Sequence, residues 1–238
     1  MTQQIDMTLP EETIAALSGV STATLTTLLL KKGLRNVWIR GARPIRTGQP
    51  RVIGRAFTMR FVPAREDLAT PESWSSPTSS RAAIEAMPKG CVAVVDARGV
   101  TDAGIFGDIL AARIAYREVC AVVTDGVMRD LAGVLKTGLP IWCQGGAAPP
   151  SVAGLTFIDW QTPIGCGGVA VMPGDVIVAD DDGAVVIPSA LLQEIVPLAQ
   201  EQERLEAWIV SQVEQGASLP GLYPPNAENL QRYKDSQK

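Results

Sequence analysis

Two short segments carry the residue types that could do chemistry. Gly104-Ile105-Phe106-Gly107-Asp108-Ile109-Leu110 and Thr124-Asp125-Gly126-Val127-Met128-Arg129-Asp130 lie where an apolar run gives way to a helical pattern. In α/β folds that junction, the C-terminal end of a strand, is where function collects. The fork of Arg129 can grip a carboxylate or a keto oxygen, and the neighbouring Asp130 can ligate a hard cation. A helix starting near Gly107 would expose unpaired N–H groups at its positive end, a cradle for a carboxylate. A plainer reading uses the same residues: Asp125-Gly126 is a turn, Arg129 and Asp130 are a local surface pair, and Asp108 is a first-turn helix acid. On residue chemistry alone the plainer reading is favoured, because such pieces are common.

The chain has no histidine. Proton transfer must fall to Asp, Glu, Lys, Tyr, Cys or a metal-bound water. Ser–His–Asp and Cys–His mechanisms are excluded, and so are His-ligated zinc sites. The four cysteines (Cys91, Cys120, Cys143, Cys166) are scattered without a CxxC pair. Together with a polar, acidic start unlike a leader, this sets the expectation of a reducing, cytoplasmic setting. A net charge of −4 provides no footprint for a phosphate backbone, so no nucleic-acid partner is expected. Arg35, Arg40, Arg43 and Arg46 read as a solvated face. No apolar run approaches membrane-spanning length.

The elements that must position the two segments follow from pattern. Residues 10–18 and Thr22–Lys32 read as helices, the second capped by Ser21 and stopped by Gly33. A Gly/Pro-rich loop (41–54) precedes a β-rich run, Ala56–Val62. The serine- and proline-rich stretch 66–80 reads as a mobile loop. A helix Ser80–Met87, a strand Cys91–Asp96, a helical pattern 104–116, a strand Cys120–Thr124, a helical pattern 128–136 and a short strand at Ile141–Trp142 follow. That alternation predicts parallel strands with crossover helices. Short strands at 169–171, 176–179 and 184–187 are separated by turn sequences that fit hairpins. A long helix, about 189–215, leads to a tail from Gly216 without periodicity. With 46% hydrophobic residues and no clean linker, residues 1–238 are read as one α/β domain, with N-terminal helices at about 10–33 and a C-terminal helix and tail at about 189–238.

Other motifs carry less. Asp180-Asp181-Asp182-Gly183 lacks the ligand spacing of a calcium loop and reads as a solvated turn. Gly165-Cys166-Gly167-Gly168 lacks a following Gly-Lys-Ser/Thr and reads as a tight turn. Cys166 has no neighbour to lower its pKa, Trp142 and Trp160 read as core or interface aromatics, and Tyr223 is placed to reach a neighbouring subunit.

Gly107-Asp108-Ile-Leu, Val123-Thr-Asp-Gly-Val-Met-Arg-Asp130, Leu139-Pro-Ile-Trp142 and Pro173-Gly-Asp175 with Asp182-Gly-Ala-Val-Val-Ile-Pro188, in this order and spacing, resemble the RraA-like family. That family includes the 4-hydroxy-4-methyl-2-oxoglutarate/4-carboxy-4-hydroxy-2-oxoadipate aldolases, and the resemblance spans roughly residues 15–190. It implies a swivelling β/β/α-type sandwich, assembled as trimers or hexamers with the active site at a subunit interface. It further implies Asp130 as the ligand of Mg²⁺ or Mn²⁺ and Arg129 as the residue that binds substrate and stabilises an enolate. Asp108 would be the polar catalytic partner, and the backbone at Gly107, Ile109 and Leu110 would hold the substrate carboxylate. The implied activity is a carbon–carbon lyase acting on a small 2-oxo acid through a pyruvate enolate, by retro-aldol cleavage or oxaloacetate decarboxylation. Dehydration of a 2-keto-3-deoxy sugar acid, or non-catalytic regulation through a protein partner such as RNase E, are the alternatives. One position departs from the aldolases, which carry an acid three residues after the metal-binding Asp; here it is Gly133. A Glu placed there is expected to tighten metal binding if it fits.

Overall fold

The computed structural model describes residues 7–237. Helices α1 (Glu11–Ser18) and α2 (Thr22–Lys31) open it, and the Ser21 hydroxyl accepts the Thr24 N–H as the cap of α2. Leu17, Leu25 and Leu29 of this pair are fully buried against Val176, Val185 and Ile187 of the sheet and Ile195 of a C-terminal helix. Among the described residues no single helix is long and apolar enough to cross a membrane.

The sheet is organised by its longest strand. Strand β2 (Val52–Pro63) pairs in parallel with β3 (Val92–Asp96), and antiparallel with β6 (Leu155–Trp160) and β7 (Val176–Asp180). Beyond β3 come β4 (Ala121–Thr124) and β5 (Ile141–Cys143), both parallel; beyond β7 comes β8 (Gly183–Ile187) in a hairpin. Strand β1 (Arg43–Pro44) caps β5. Just ahead of it, Val37 and Ile39 hydrogen-bond to Val186 and Ala184 of β8. The chain thus bridges the sheet's two outer strands and nearly closes it into a barrel. Strands β3 and β4 are buried at every residue, which explains why they read as unbroken apolar runs rather than alternating ones.

Helices α3 (Ser80–Ala86), α4 (Asp108–Tyr116) and α5 (Leu131–Lys136) accompany the parallel half, and α6 (Leu192–Glu214) is the long helix expected near the C-terminus. The architecture is the expected α/β one, and several boundaries move for physical reasons. The helical pattern from 104 begins only at Asp108, because residues 104–106 lie alongside 127–129 in strand-like contact. The pattern from 128 begins only at Leu131, because Asp130 has φ +52°. Residues 169–171 form a single bridge to Ile164 rather than a strand, while β6 was not visible as an alternating run. The stretch read as a mobile loop carries a 3₁₀ turn, Pro71–Ser75. The aperiodic tail contains α7 (Ala227–Ser236), capped by Asn226 and packed through Tyr233 onto Trp208. Asp180 is a correction to the solvated-turn reading. It is buried, and its carboxylate accepts the N–H and hydroxyl of Thr22, anchoring α2 to the hairpin.

Candidate active site

Strands β3 and β4 run side by side, so the segments that leave their C-terminal ends start as neighbours. The Ile105 N–H donates to Val127 O and the Arg129 N–H to Phe106 O, each at 2.9 Å. This short ladder draws Gly107-Asp108 against Arg129-Asp130. It leaves little room for side chains at its crossing points. A Cβ on Gly104 would sit 2.8 Å from Cβ of Arg129, and one on Gly107 would sit 2.6 Å from Oδ2 of Asp130. Gly104 is therefore required for close approach of the backbone rather than for unusual dihedral angles, while a side chain at 107 would displace the Asp130 carboxylate.

Gly107, Asp108, Ile109, Leu110, Arg129 and Asp130 all line one hollow of about 270 Å³. Arg129 Nε donates to Asp130 Oδ2 at 3.2 Å, with both side chains partly exposed. At that exposure the pair adds little to stability. Asp130 nevertheless holds a left-handed backbone conformation that costs a non-glycine residue energy, and such strain gathers at functional sites. Its main-chain carbonyl accepts the N–H groups of Gly133 and Val134, so the strained residue also starts α5.

The backbone cradle differs from expectation at one of its groups. Ile109 donates its N–H to Oδ1 of Asp108 at 2.8 Å, so that donor is already satisfied by the first-turn acid. The Ile109 side chain points outward, 80% exposed. The Leu110 N–H makes no hydrogen bond within the described residues and remains directed from the first turn of α4, the positive end of the helix.

Five further residues belong to this hollow and had no motif to announce them: Trp74, Ser80, Arg81, Pro150 and Ser151. Arg81 stacks its guanidinium 4.7 Å from the centre of the Trp74 ring and has no carboxylate partner among the described residues. They come from the stretch read as mobile, from the start of α3 and from a short turn after β5. The only signal in the sequence was Ser79, which caps α3 by accepting the Ala82 N–H.

A second, shallower hollow of about 530 Å³ lies at the same end of the strands, between Arg40, Arg98, Gln144 and the 165–168 turn. Its two carboxylates are already used. Asp125, 4% exposed, accepts the N–H groups of Ala97, Gly99 and Gly167; Asp96 accepts those of Arg98 and Gly165. Burial pushes the Asp125 carboxyl above its usual range, against the pull of those three N–H groups. These acids fasten loops together. The turn Gly165–Gly168 is tight as expected, with Gly167 and Gly168 at positive φ. Cys166 is fully buried, and its thiol is pushed well up, as suits an inert cysteine.

Comparison with known proteins identifies the family of the chain. The family model described as "RraA-like: Aldolase/RraA" matches residues 20–186. DlpA of Legionella pneumophila is 30% identical over 173 residues, 71% of this chain but 27% of that protein. A protein of Halalkalibacterium halodurans named "Putative 4-hydroxy-4-methyl-2-oxoglutarate aldolase" is 35% identical over 124 residues, 52% of this chain and 58% of that one. The chain thus spans less than two thirds of either relative. Among solved structures, Streptomyces coelicolor RraAS2, described as an unusual member of the RNase ES inhibitor RraA protein family, superposes with a TM-score of 0.75. It is 36% identical, and the match covers 84% of this chain and 96% of that one. With a family model spanning most of its length and a solved relative sharing its architecture, this chain belongs to the RraA-like family.

Proposed function

We propose that the chain is a lyase that cleaves a small 2-oxo acid through a pyruvate enolate, with Arg129 and Asp130 at its centre and a divalent cation as cofactor. The observation that carries the reading is the Arg129–Asp130 pair, with Asp130 in left-handed backbone, at a hollow where a helix N-terminus offers the free Leu110 N–H. The family's aldolase members support it.

The donor set suits a magnesium-like ion. Among the described residues no three His, Cys, Asp or Glu side chains gather into a ligand cluster. Mg²⁺ asks for less, since it keeps several waters and binds through one or two carboxylates. Asp130 would hold it with the oxygen that Arg129 leaves free, and Asp108 stands in the same hollow as a second acid. When bound, such a cation supplies a Lewis acid that withdraws charge from the 2-keto oxygen.

The chain's own groups do the rest. Leu110 N–H and the Arg129 fork bind the substrate carboxylate and keto oxygen and orient the C3–C4 bond. As that bond breaks, negative charge grows on the keto oxygen and Arg129 counters it there. In a retro-aldol step Asp108 accepts the C4 hydroxyl proton, and the enolate is then protonated at C3 to give pyruvate. In oxaloacetate decarboxylation the leaving group is CO₂ and no hydroxyl proton moves. The exposed Ile109 beside the site supports an assembly in which a neighbouring copy covers it, and the family resemblance implies three or six copies. Pyruvate release from oxaloacetate and from a panel of 4-hydroxy-2-oxo acids, with Mg²⁺ or Mn²⁺, tests the reading.

The similarity to RraAS2 favours a second reading, a regulator that binds a ribonuclease-type protein without turning over a substrate. It predicts no pyruvate from any member of the panel.

A further inference from the structure

The hollow that holds Arg129 and Asp130 has a neighbour. A cavity of about 480 Å³ lies under the 67–80 segment, and Trp74, Ser80 and Ser151 line both spaces. The hydroxyls of Ser80 and Ser151 face these spaces and make no hydrogen bond within the described residues. Two hydroxyls open to a ligand thus stand at the junction between the proposed reaction site and the cavity.

The cavity beyond is uncharged in effect. No cationic residue lines it, and its one acid, Asp67, is engaged by Arg65 through two hydrogen bonds of 2.7 Å. Most of its hydroxyls are also occupied. Ser73 donates to Thr70 O, Ser76 and Thr78 bond to each other, Ser79 caps α3, and Thr156 donates to Pro63 O. What remains is aromatic and aliphatic: Phe61 and Phe157, edge to face at 5.1 Å, with Leu155 and Val152. A second carboxylate entering this cavity would give up part of its hydration and find no cation to pair with. An aromatic ring would bury apolar area and meet the edge-to-face geometry that such rings prefer.

We propose that this cavity receives an uncharged aryl group carried on C4 of the substrate, with Ser80 and Ser151 hydrogen-bonding at the passage. The inference rests on the lyase reading and narrows it to 4-aryl-4-hydroxy-2-oxo acids. In that reaction the C3–C4 bond breaks and the C4 hydroxyl loses its proton to Asp108. The bonding pair moves to C3 to form the enolate, an aromatic aldehyde departs, and protonation at C3 gives pyruvate. Arg81, on the wall of the first hollow only, marks the competing class. A substrate with a second carboxylate would stop at that guanidinium, short of the cavity.

The test is equilibrium binding by calorimetry with Mg²⁺ present, using 2-oxo-4-phenylbutanoate and 2-oxoglutarate, which lack the 4-hydroxyl and cannot be cleaved by this route. The phenyl compound is expected to bind on the order of ten-fold tighter or better, the scale of one buried ring edge. Two variants check that the cavity is responsible. Val152→Trp fills it, and Ile158→Arg, at a partly exposed position on its rim, puts a cation there. Either should shrink the phenyl preference by about ten-fold. Tighter binding of 2-oxoglutarate, or a preference insensitive to both variants, overturns the inference even if pyruvate is released from dicarboxylate substrates. The converse result, cavity-dependent binding of the phenyl compound without turnover of any 4-hydroxy-2-oxo acid, keeps the aryl site and removes the lyase reading.

Discussion

Asp108 occupies the space above Gly133: a Cβ built on Gly133 would fall 2.5 Å from Oδ2 of Asp108 and 2.7 Å from its Cβ. The two positions therefore exclude one another as side-chain bearers. The acid that the aldolases carry three residues after the metal-binding Asp cannot be added here while Asp108 stays where it is. This corrects the expectation that Glu at 133 would tighten metal binding. In this chain the carboxylate over that turn of α5 comes from α4.

Gly133→Ala is the smallest test of that exclusion. Alanine would gain about 0.5–1 kcal/mol of helix propensity, but overpacking against Asp108 costs about 1–3 kcal/mol. The variant should be less stable than wild type in urea unfolding and should lose turnover, because Asp108 is pushed from the hollow. A more stable, fully active Gly133→Ala would show that Asp108 is free to move and is not needed where it stands.

Metal dependence rests on Asp130. EDTA should abolish pyruvate release and Mg²⁺ should restore it in wild type. Asp130→Asn should not recover, since a neutral amide is a poor ligand for a hard cation. Its melting temperature should change little, because the Arg129–Asp130 pair is partly exposed and weakly stabilising. Undiminished activity after exhaustive chelation contradicts the scheme.

Asp125 gives a pH prediction with a definite sign. Burial raises its folded pKa above the usual 3.8, so the folded protein takes up this proton at a higher pH than the unfolded chain does. Its titration therefore favours folding below that usual value and loses that contribution as pH rises through the raised folded pKa. Asp125→Asn does not titrate. It also turns an amide N–H₂ toward the donors of Ala97, Gly99 and Gly167, which should destabilise it by about 1–3 kcal/mol. Urea unfolding from pH 4 upward should show the wild-type advantage over the variant shrinking as pH rises. An advantage that grows with pH would mean the carboxyl is depressed, not raised.

Much of this was legible in the sequence. Apolar runs ending in Asp96 and Thr124 marked the parallel strands, and capping residues such as Ser21 marked helix starts. The order of Gly107-Asp108 and Arg129-Asp130 located the hollow. What escaped depended on contacts between distant segments. No local pattern shows that residues 104–106 lie along 127–129 and delay the start of α4, or that Asp130 adopts positive φ. The 66–80 stretch looked mobile because its serines and prolines fit no period. Its order comes from packing Trp74 under Arg81 and from hydroxyls bonding within the loop. Helix α7 has only one buried residue, Tyr233, so it offered no apolar stripe to read.

The measurement closest to the central claim is pyruvate release by wild type, Arg129→Lys and Arg129→Ala, read beside their melting temperatures. Lysine keeps the charge but loses the fork. In Arg129→Lys kcat should fall on the order of ten- to a thousand-fold, the range for weakening one partner of a developing oxyanion. Arg129→Ala should be lower still, with KM raised and melting nearly unchanged for both. A normally melting Arg129→Ala that turns over the best substrate at the wild-type rate would contradict the proposed site.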